Sequence, residues 1–344
     1  MHQCFYHSGE ITMSNQLEFG VIGLGRMGGG LAHKGLNEGL KVVGQDINPP
    51  DKKLLDAGLI YIKDYADFVK NLKAPRIILV YIPSGPMIDT VMENLLKVLE
   101  KGDIVVDGGN SYWGDSIRRH QKYLKSGVHF LDIGTSGGVA VERDGACFML
   151  GGDKSVVAQV EPVLLKIAMA GGYVHAGPAG AGHFVKLVHN GINYGMAEAL
   201  AEGVALLESC PLNIDVPGTL EAYRFGTVIR GFFVDTVAKG YKDNKGITAI
   251  NDYVDDTGEV NWLIDDALHM EVSIPSIAAA VFQCVASRDS NKYAFKTVAM
   301  TRHIYGGHAY GHSKVSAAER YQGREGGYFY NGIDPATIVH KKED

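Results

Sequence analysis

Hydrophobic and polar positions alternate between two rhythms along the first half of this chain. A short apolar run, Leu17-Glu18-Phe19-Gly20-Val21-Ile22, leads into a glycine-rich turn and then a helically spaced stretch through Leu36. A second apolar run covers 41–45 and ends at Asp46. Further strand-like runs stand at 77–82, 104–107, 129–133, 147–150 and 173–176, with helical spacing between them, as at 87–99 and 116–126. Strands alternating with helices predict a doubly wound, mostly parallel sheet. Beyond 176 the strand rhythm stops. Helical patterns follow at 183–209, 217–240, 261–271, 275–287 and 291–303, which predicts an all-α C-terminal domain after an α/β N-terminal one.

The expected organisation is a disordered leader at 1–16, an α/β domain at 17–180, an all-helical domain at 181–308 and a loop-rich tail at 309–344. A length of 344 residues supports two cores, because single cores stop growing at roughly 250–300 residues. The Gly177-Pro178-Ala179-Gly180-Ala181-Gly182 segment marks the boundary. A formal charge of −6, with no basic run longer than Lys341-Lys342, argues against nucleic acid as a partner. Cys4, Cys147, Cys210 and Cys284 are too far apart for a CxxC metal or redox site, and no metal is expected. They read as buried or free thiols of a reducing compartment, hence the cytoplasm. No membrane-spanning run is seen, and residues 1–12 lack a signal-peptide core, so Met13 is a candidate native start.

The first chemical signal is Gly23-Leu24-Gly25-Arg26-Met27-Gly28, placed between a strand and a helix, with Asp46 eighteen residues past the last glycine. In that context each part has a mechanical duty, and the pattern reads as a Rossmann dinucleotide fingerprint. Gly23 makes the tight turn, Gly25 lets backbone approach a pyrophosphate, Gly28 lets helix and strand pack, and the helix N-terminus faces the phosphates. Asp46 accepts from the ribose hydroxyls and repels a 2′-phosphate. NAD is therefore favoured over NADP, and no arginine follows in Ile47-Asn48-Pro49-Pro50 to reverse the choice.

The second signal lies at 181–195, an apolar helical stretch that sets Lys186 and Asn190 one turn apart on one face. Among Val185, Leu187 and Val188 the amine is expected to be partly desolvated, which lowers a lysine pKa towards the range of a general base. The amide cannot titrate and can orient a hydroxyl. The plain alternative is a core helix whose lysine head reaches solvent.

Taken with Asp107-Gly108-Gly109-Asn110-Ser111, Gly134-Thr135-Ser136-Gly137-Gly138, Gly182-His183-Phe184-Val185-Lys186-Leu187-Val188-His189-Asn190-Gly191, and Arg302 with Gly306-Gly307-His308, these motifs resemble the 6-phosphogluconate dehydrogenases, within the β-hydroxyacid dehydrogenase superfamily. The resemblance runs from residue 17 to about 308, and the length is that of the short bacterial form. It implies oxidation at C3 of a sugar acid, 6-phosphogluconate in the named enzyme, with the carboxylate lost as CO2 and ribulose 5-phosphate formed. Lys186 takes the role of base, and Asn190 holds the hydroxyl. Asn110 is implied between nicotinamide and substrate, and Ser136, Gly137 and Gly138 as the carboxylate nest. His189, Asn193 and Tyr194 fall at further substrate-binding positions of the helix. Arg302 and His308 match tail positions that reach into a neighbouring subunit's site, so a homodimer or dimer of dimers is implied.

The chain departs from the family at three places. Asn193 stands where the family carries the glutamate that protonates the enediol, and an amide has no proton to give in that role. Asn261 and Cys284 stand at positions that tend to carry cations near the substrate phosphate, while Tyr194 and Arg302 remain. The runner-up reading is thus a paralogous β-hydroxyacid dehydrogenase acting on a different sugar acid, phosphorylated or not, with or without decarboxylation. An NAD-binding sensor without chemistry has no need of the lysine and amide pair, and an imine-reducing relative usually lacks the lysine.

Overall fold

The computed structural model describes residues 16–210 and 212–314; the expected leader up to residue 15 and the tail from 315 lie outside the described residues. Two compact units divide after Asn190.

The first unit runs β1 (Glu18–Ile22), α1 (Arg26–Asn37), β2 (Lys41–Gln45), α2 (Lys52–Asp56), β3 (Ile60–Ile62), α3 (Ala66–Asn71), β4 (Ile77–Val80), α4 (Pro86–Leu96), β5 (Ile104–Asp107), α5 (Trp113–Ser126), β6 (His129–Ser136), a 3-10 turn (Gly138–Ala140), α6 (Val141–Asp144), β7 (Ala146–Gly151), α7 (Lys154–Ile167), β8 (Ala168–Gly177) and the start of α8 (Ala181–Ser209). Eight strands form one sheet in the order β3-β2-β1-β4-β5-β6-β7-β8, every neighbouring pair parallel except β6 with β7. The α/β class expected from the alternating pattern is therefore observed.

Both faces of the sheet are covered, and the two-residue period of the strands sorts the core. Phe19, Val21, Val42, Leu79, Val106, Leu131 and Ile133 pack on one side with α1 and α7. Ile22, Val43, Ile78, Val80, Val105 and Phe130 point the other way, against Phe68 of α3, Ile88 and Leu95 of α4 and Tyr123 of α5. β3 is a strand the sequence pattern did not reveal, being only three residues long. The strand expected at 173–176 begins earlier, at Ala168, through a small-residue stretch with little apolar signal.

The second unit continues α8 and adds α9 (Val216–Tyr223), α10 (Phe232–Asn244), α11 (Glu259–His269), α12 (Pro275–Arg288) and α13 (Tyr293–Gly306). The single helix expected at 217–240 is two, because the backbone turns through positive φ at Gly226 and Gly231. A small core of Val204, Val216, Leu220, Ala238 and Tyr241 ties α8 to α9 and α10, whereas α13 has no buried residue. No helix of the described residues is long and apolar enough to cross a membrane.

One carboxylate fixes where α8 begins. Asp132 is fully buried on β6, and it accepts from the Gly180 N–H at 2.6 Å and the His183 N–H at 2.8 Å. These are amides that a helix start leaves without intrahelical partners, and a negative charge there also suits the helix dipole. Gly182 lets the turn lie on the strands, since a Cβ there would come within 2.5 Å of Met149 O and 2.6 Å of Asp132 O. Because these bonds hold the first turns of α8 on the sheet, the compact units divide ten residues into the helix and not at its start. Asp132→Ala leaves two buried amides unpaired and is expected to cost about 2–4 kcal/mol, read as a fall in the urea midpoint with unchanged slope.

Candidate active site

Every loop that carries a candidate residue leaves the sheet at the carboxyl end of a parallel strand, the edge at which open α/β sheets bind ligands. Gly23 to Gly28 follow β1, Asp46 follows β2, Asn110 follows β5, and Ser136 closes β6.

The glycine loop has the shape a dinucleotide needs. Gly23 sits at φ +87°, and a Cβ on it would lie 2.2 Å from Tyr81 O, while one on Gly28 would lie 1.9 Å from Gly23 O. Gly25 is the N-cap of α1, has no side-chain cap, and opens onto free space. First-turn amides of α1, at Arg26, Met27 and Gly28, thus have no intrahelical acceptor. Asp46 is half-buried. Its Oδ2 accepts from the Leu24 N–H at 2.6 Å and its Oδ1 from the Asn48 N–H at 2.8 Å, so the carboxylate is fixed beside the loop. Each oxygen retains a further lone pair for a hydroxyl donor. These residues fit a dinucleotide cofactor.

A second carboxylate organises the loop after β5. Asp107 is fully buried and accepts from the Gly109 N–H at 3.0 Å, the Ser111 hydroxyl at 2.9 Å and Arg119 Nη1 at 3.2 Å. Arg119 in turn reaches Asp89 of α4 at 2.9 Å. With its flanks so tied, Asn110 holds a left-handed backbone, φ +56°, that is uncommon outside glycine. Its Oδ1 accepts from Asn190 Nδ2 at 3.5 Å.

The polar face of α8 lies over β6. Gly134 makes the approach possible: a Cβ there would stand 2.4 Å from Lys186 Cβ and 2.7 Å from Gly182 O. Lys186 Nζ lies 3.5 Å from His189 Nδ1, which is 3.2 Å from Asn190 Oδ1, and His189 Nε2 lies 3.4 Å from Ser136 Oγ. Burial, and then the charge on Lys186, hold the His189 imidazole below the usual histidine range against a smaller pull from Asn190, so the ring is neutral at pH 7. A neutral ring with one donor and one acceptor links Ser136 to the lysine and amide pair. Lys186, His189, Asn190, Asn110 and Ser136 are therefore brought together.

The surroundings of Lys186 differ from the sequence expectation. Residues next to each other on a helix point about 100° apart, so Val185 is exposed and Leu187 is buried away from the lysine. The partial burial of Lys186 comes instead from Gly134 beneath it and His189 beside it. Asn193 is exposed. In the helical unit, Arg302 Nη2 lies 3.5 Å from His308 Nε2, both exposed.

Several organising residues escaped sequence reasoning. Asp107, Arg119 and Asp132 hold the loop after β5 and the start of α8 in place; the available signal was an acid inside or closing an otherwise apolar strand. Tyr81 is another, half-buried beneath Gly23 and Gly108, with its hydroxyl 2.8 Å from Thr135 Oγ1. His183 pins α8 to α5 through a 2.7 Å contact from Nδ1 to Ser116 Oγ. Among the described residues no cluster of side chains has the makeup of a metal site.

Comparison with known proteins places this geometry. The family described as the NAD binding domain of 6-phosphogluconate dehydrogenase matches residues 18–177, and the 6-phosphogluconate dehydrogenase C-terminal domain matches 182–317. A Bacillus subtilis protein provisionally named 6-phosphogluconate dehydrogenase YqeC is 35% identical over 294 residues, 85% of this chain and 99% of that one. The Haloferax volcanii protein named 6-phosphogluconate dehydrogenase, NAD(+)-dependent, decarboxylating, is 30% identical over 295 residues, 85% of this chain and 98% of that one. The solved 6-phosphogluconate dehydrogenase of Plasmodium falciparum aligns with a TM-score of 0.73 at 26% identity, over 88% of this chain and 68% of that one. This chain belongs to the 6-phosphogluconate dehydrogenase family: it is a dehydrogenase acting on CH–OH, built on an NAD(P)-binding domain.

Proposed function

We propose that the chain oxidises the C3 hydroxyl of a sugar acid of the gluconate skeleton, with NAD as acceptor and Lys186 as the base. The Gly23 to Gly28 loop and Asp46 would hold the dinucleotide, which would supply the hydride acceptor for C3. The remaining work falls to side chains. Neutral Lys186 accepts the hydroxyl proton, and Asn190 donates to the same oxygen as it becomes a carbonyl. Ser136 and the amides of Gly137 and Gly138 bind the carboxylate, and Asn110 separates that substrate from the nicotinamide. His189, uncharged at pH 7, joins Ser136 to Lys186 without adding a second cation beside the amine. The observation that carries this reading is the convergence of Lys186, His189, Asn190, Asn110 and Ser136 at contacts of 3.2–3.5 Å.

NAD is proposed over NADP on the strength of Asp46, whose fixed negative charge opposes a 2′-phosphate. The oxidised product is a β-keto acid, which loses CO2 once protonated Lys186 polarises the ketone. Asn193 favours a second reading of this last stage. It is an exposed amide seven residues after Lys186 and has no proton to give to an enediol. Water then supplies that proton, or the keto acid leaves intact. We also propose a homodimer, because α13 exposes Phe295, Ile304 and Tyr305 at 70%, 75% and 69% and is too short to persist without a partner surface. In that dimer Arg302 and His308 would serve the neighbouring site.

Lys186→Met is expected to lower turnover of the sugar acid by about 10³-fold with NAD binding unchanged by fluorescence titration; turnover at the parent rate would overturn the base assignment. Trapped CO2 equal to the NADH formed supports decarboxylation, and NADH without CO2 supports release of the keto acid. Asp46→Ser is expected to shift the NAD to NADP ratio of kcat/KM by about tenfold towards NADP, the worth of roughly 1.4 kcal/mol. Sedimentation equilibrium is expected to give twice the chain mass, and a monomer at all concentrations would exclude the dimer.

A further inference from the structure

The amides proposed to hold the substrate carboxylate lie in a stretch with little of its own to keep it in place. Gly137 and Gly138 have no side chains and both turn through positive φ, +151° and +57°, so their position follows from the strand end that precedes them. That end is an overhang. β5 pairs with β6 only as far as Asp107 with Asp132, whereas β6 runs on to Ser136 with β7 as its neighbour. Among the described residues no strand pairs with the other edge of β6 along 133–136.

Tyr81 reaches that edge from two strands away. It follows the last residue of β4, and its N–H donates to Ile22 O of β1 at 2.7 Å. Its carbonyl lies against the cofactor loop, 2.2 Å from where a Cβ on Gly23 would stand. The ring then crosses the end of β5 over Gly108, where a Cβ would come within 2.5 Å of Cε1 and 2.6 Å of Cζ. Any side chain at 108 would block the crossing. Past Gly108 the hydroxyl meets Thr135 Oγ1 at 2.8 Å, a bond in which either group can donate. Thr135 is only 8% exposed, so water competes little for it.

The two-residue period of β6 puts Thr135 on the face opposite Gly134 and Ser136. Ser136 Oγ meets His189 Nε2 at 3.4 Å on one face, and Thr135 meets Tyr81 on the other. The overhang is thus gripped from both sides just before the two glycines. A nest already in place when the acid arrives binds it at a smaller ordering cost.

We infer that Tyr81 is a positioning residue for the substrate carboxylate: through Thr135 its hydroxyl holds the overhanging end of β6, and with it Ser136 and the Gly137 and Gly138 amides, in the conformation that receives the acid. This rests on the dehydrogenase reading above and adds a residue to its carboxylate site. The role belongs to the hydroxyl alone. Tyr81→Phe keeps the ring over Gly108 and the carbonyl beside Gly23, so it cuts the link to β6 and leaves the dinucleotide loop supported.

The test compares the full-length parent with Tyr81→Phe, Thr135→Val, the double variant and Thr135→Ser. It reads kcat and KM with NAD for 6-phosphogluconate and for gluconate, and the Kd for NAD by fluorescence titration. On whichever acid the parent turns over, Tyr81→Phe and Thr135→Val are each expected to raise KM about tenfold, the worth of one lost hydrogen bond. The kcat and the Kd for NAD are expected to change by less than about twofold, as for a loss of substrate binding alone. The double variant is expected to match the single ones, because both remove the same bond, and Thr135→Ser, which keeps a hydroxyl, to retain the parent KM. A parent KM in Tyr81→Phe, a Kd for NAD that rises in step with KM, or a double variant whose loss is the product of the two single losses would overturn this inference and leave the dehydrogenase reading standing. Parent turnover of neither acid would overturn both.

Discussion

The buried carboxylate of Asp132 is the constraint on which the site depends. A charge with no exposure to water is costly unless its lone pairs are met, and here they are met by the Gly180 and His183 amides at the start of α8. The bond therefore does two things at once: it satisfies the acid, and it fixes both the origin and the rotation of the helix. Once the start is fixed, the helical period decides that Lys186 and Asn190 look at the carboxyl edge of the sheet. Asp107 solves the same problem one strand over, where its three partners hold Asn110 in an otherwise unfavourable backbone conformation. Two buried acids thus set the positions of three residues proposed to touch the substrate.

Tyr81 connects these local solutions. Its backbone lies against Gly23, its ring against Gly108, and its hydroxyl against Thr135, so the loops after β1, β5 and β6 share one support. Burial holds the phenol in its protonated form, which keeps a donor available to Thr135. The three loops are consequently parts of one packed arrangement, and a shift in any of them has to be felt by the others.

The motifs with intrinsic backbone or periodic signatures were legible in the chain. Glycines at 23, 25 and 28 between a strand and a helix, with Asp46 beyond, announce a phosphate-binding turn: only glycine tolerates the approaches at 23 and 28, and Gly25 leaves open space at the start of α1. Lys186 and Asn190 announce themselves by helical spacing inside an apolar run. Less legible were features set by tertiary contact: β3 is too short for a period, β8 begins in small residues, and Gly226 and Gly231 divide what reads as one helix. The neighbours of Lys186 were misjudged for a similar reason, since adjacency in sequence is not adjacency on a helix.

Gly134 carries a consequence for how such chains are to be sorted. With 2.4 Å between a notional Cβ there and the lysine above it, any larger residue has to lift the amine off the strand. The absence of a side chain at this one place is thus a prerequisite for the lysine's position over β6, on which the proposed chemistry rests, and it offers a criterion independent of the lysine itself. A homologue that keeps the basic residue but fills the gap beneath it would be a scaffold that has retained the tool and lost the bench.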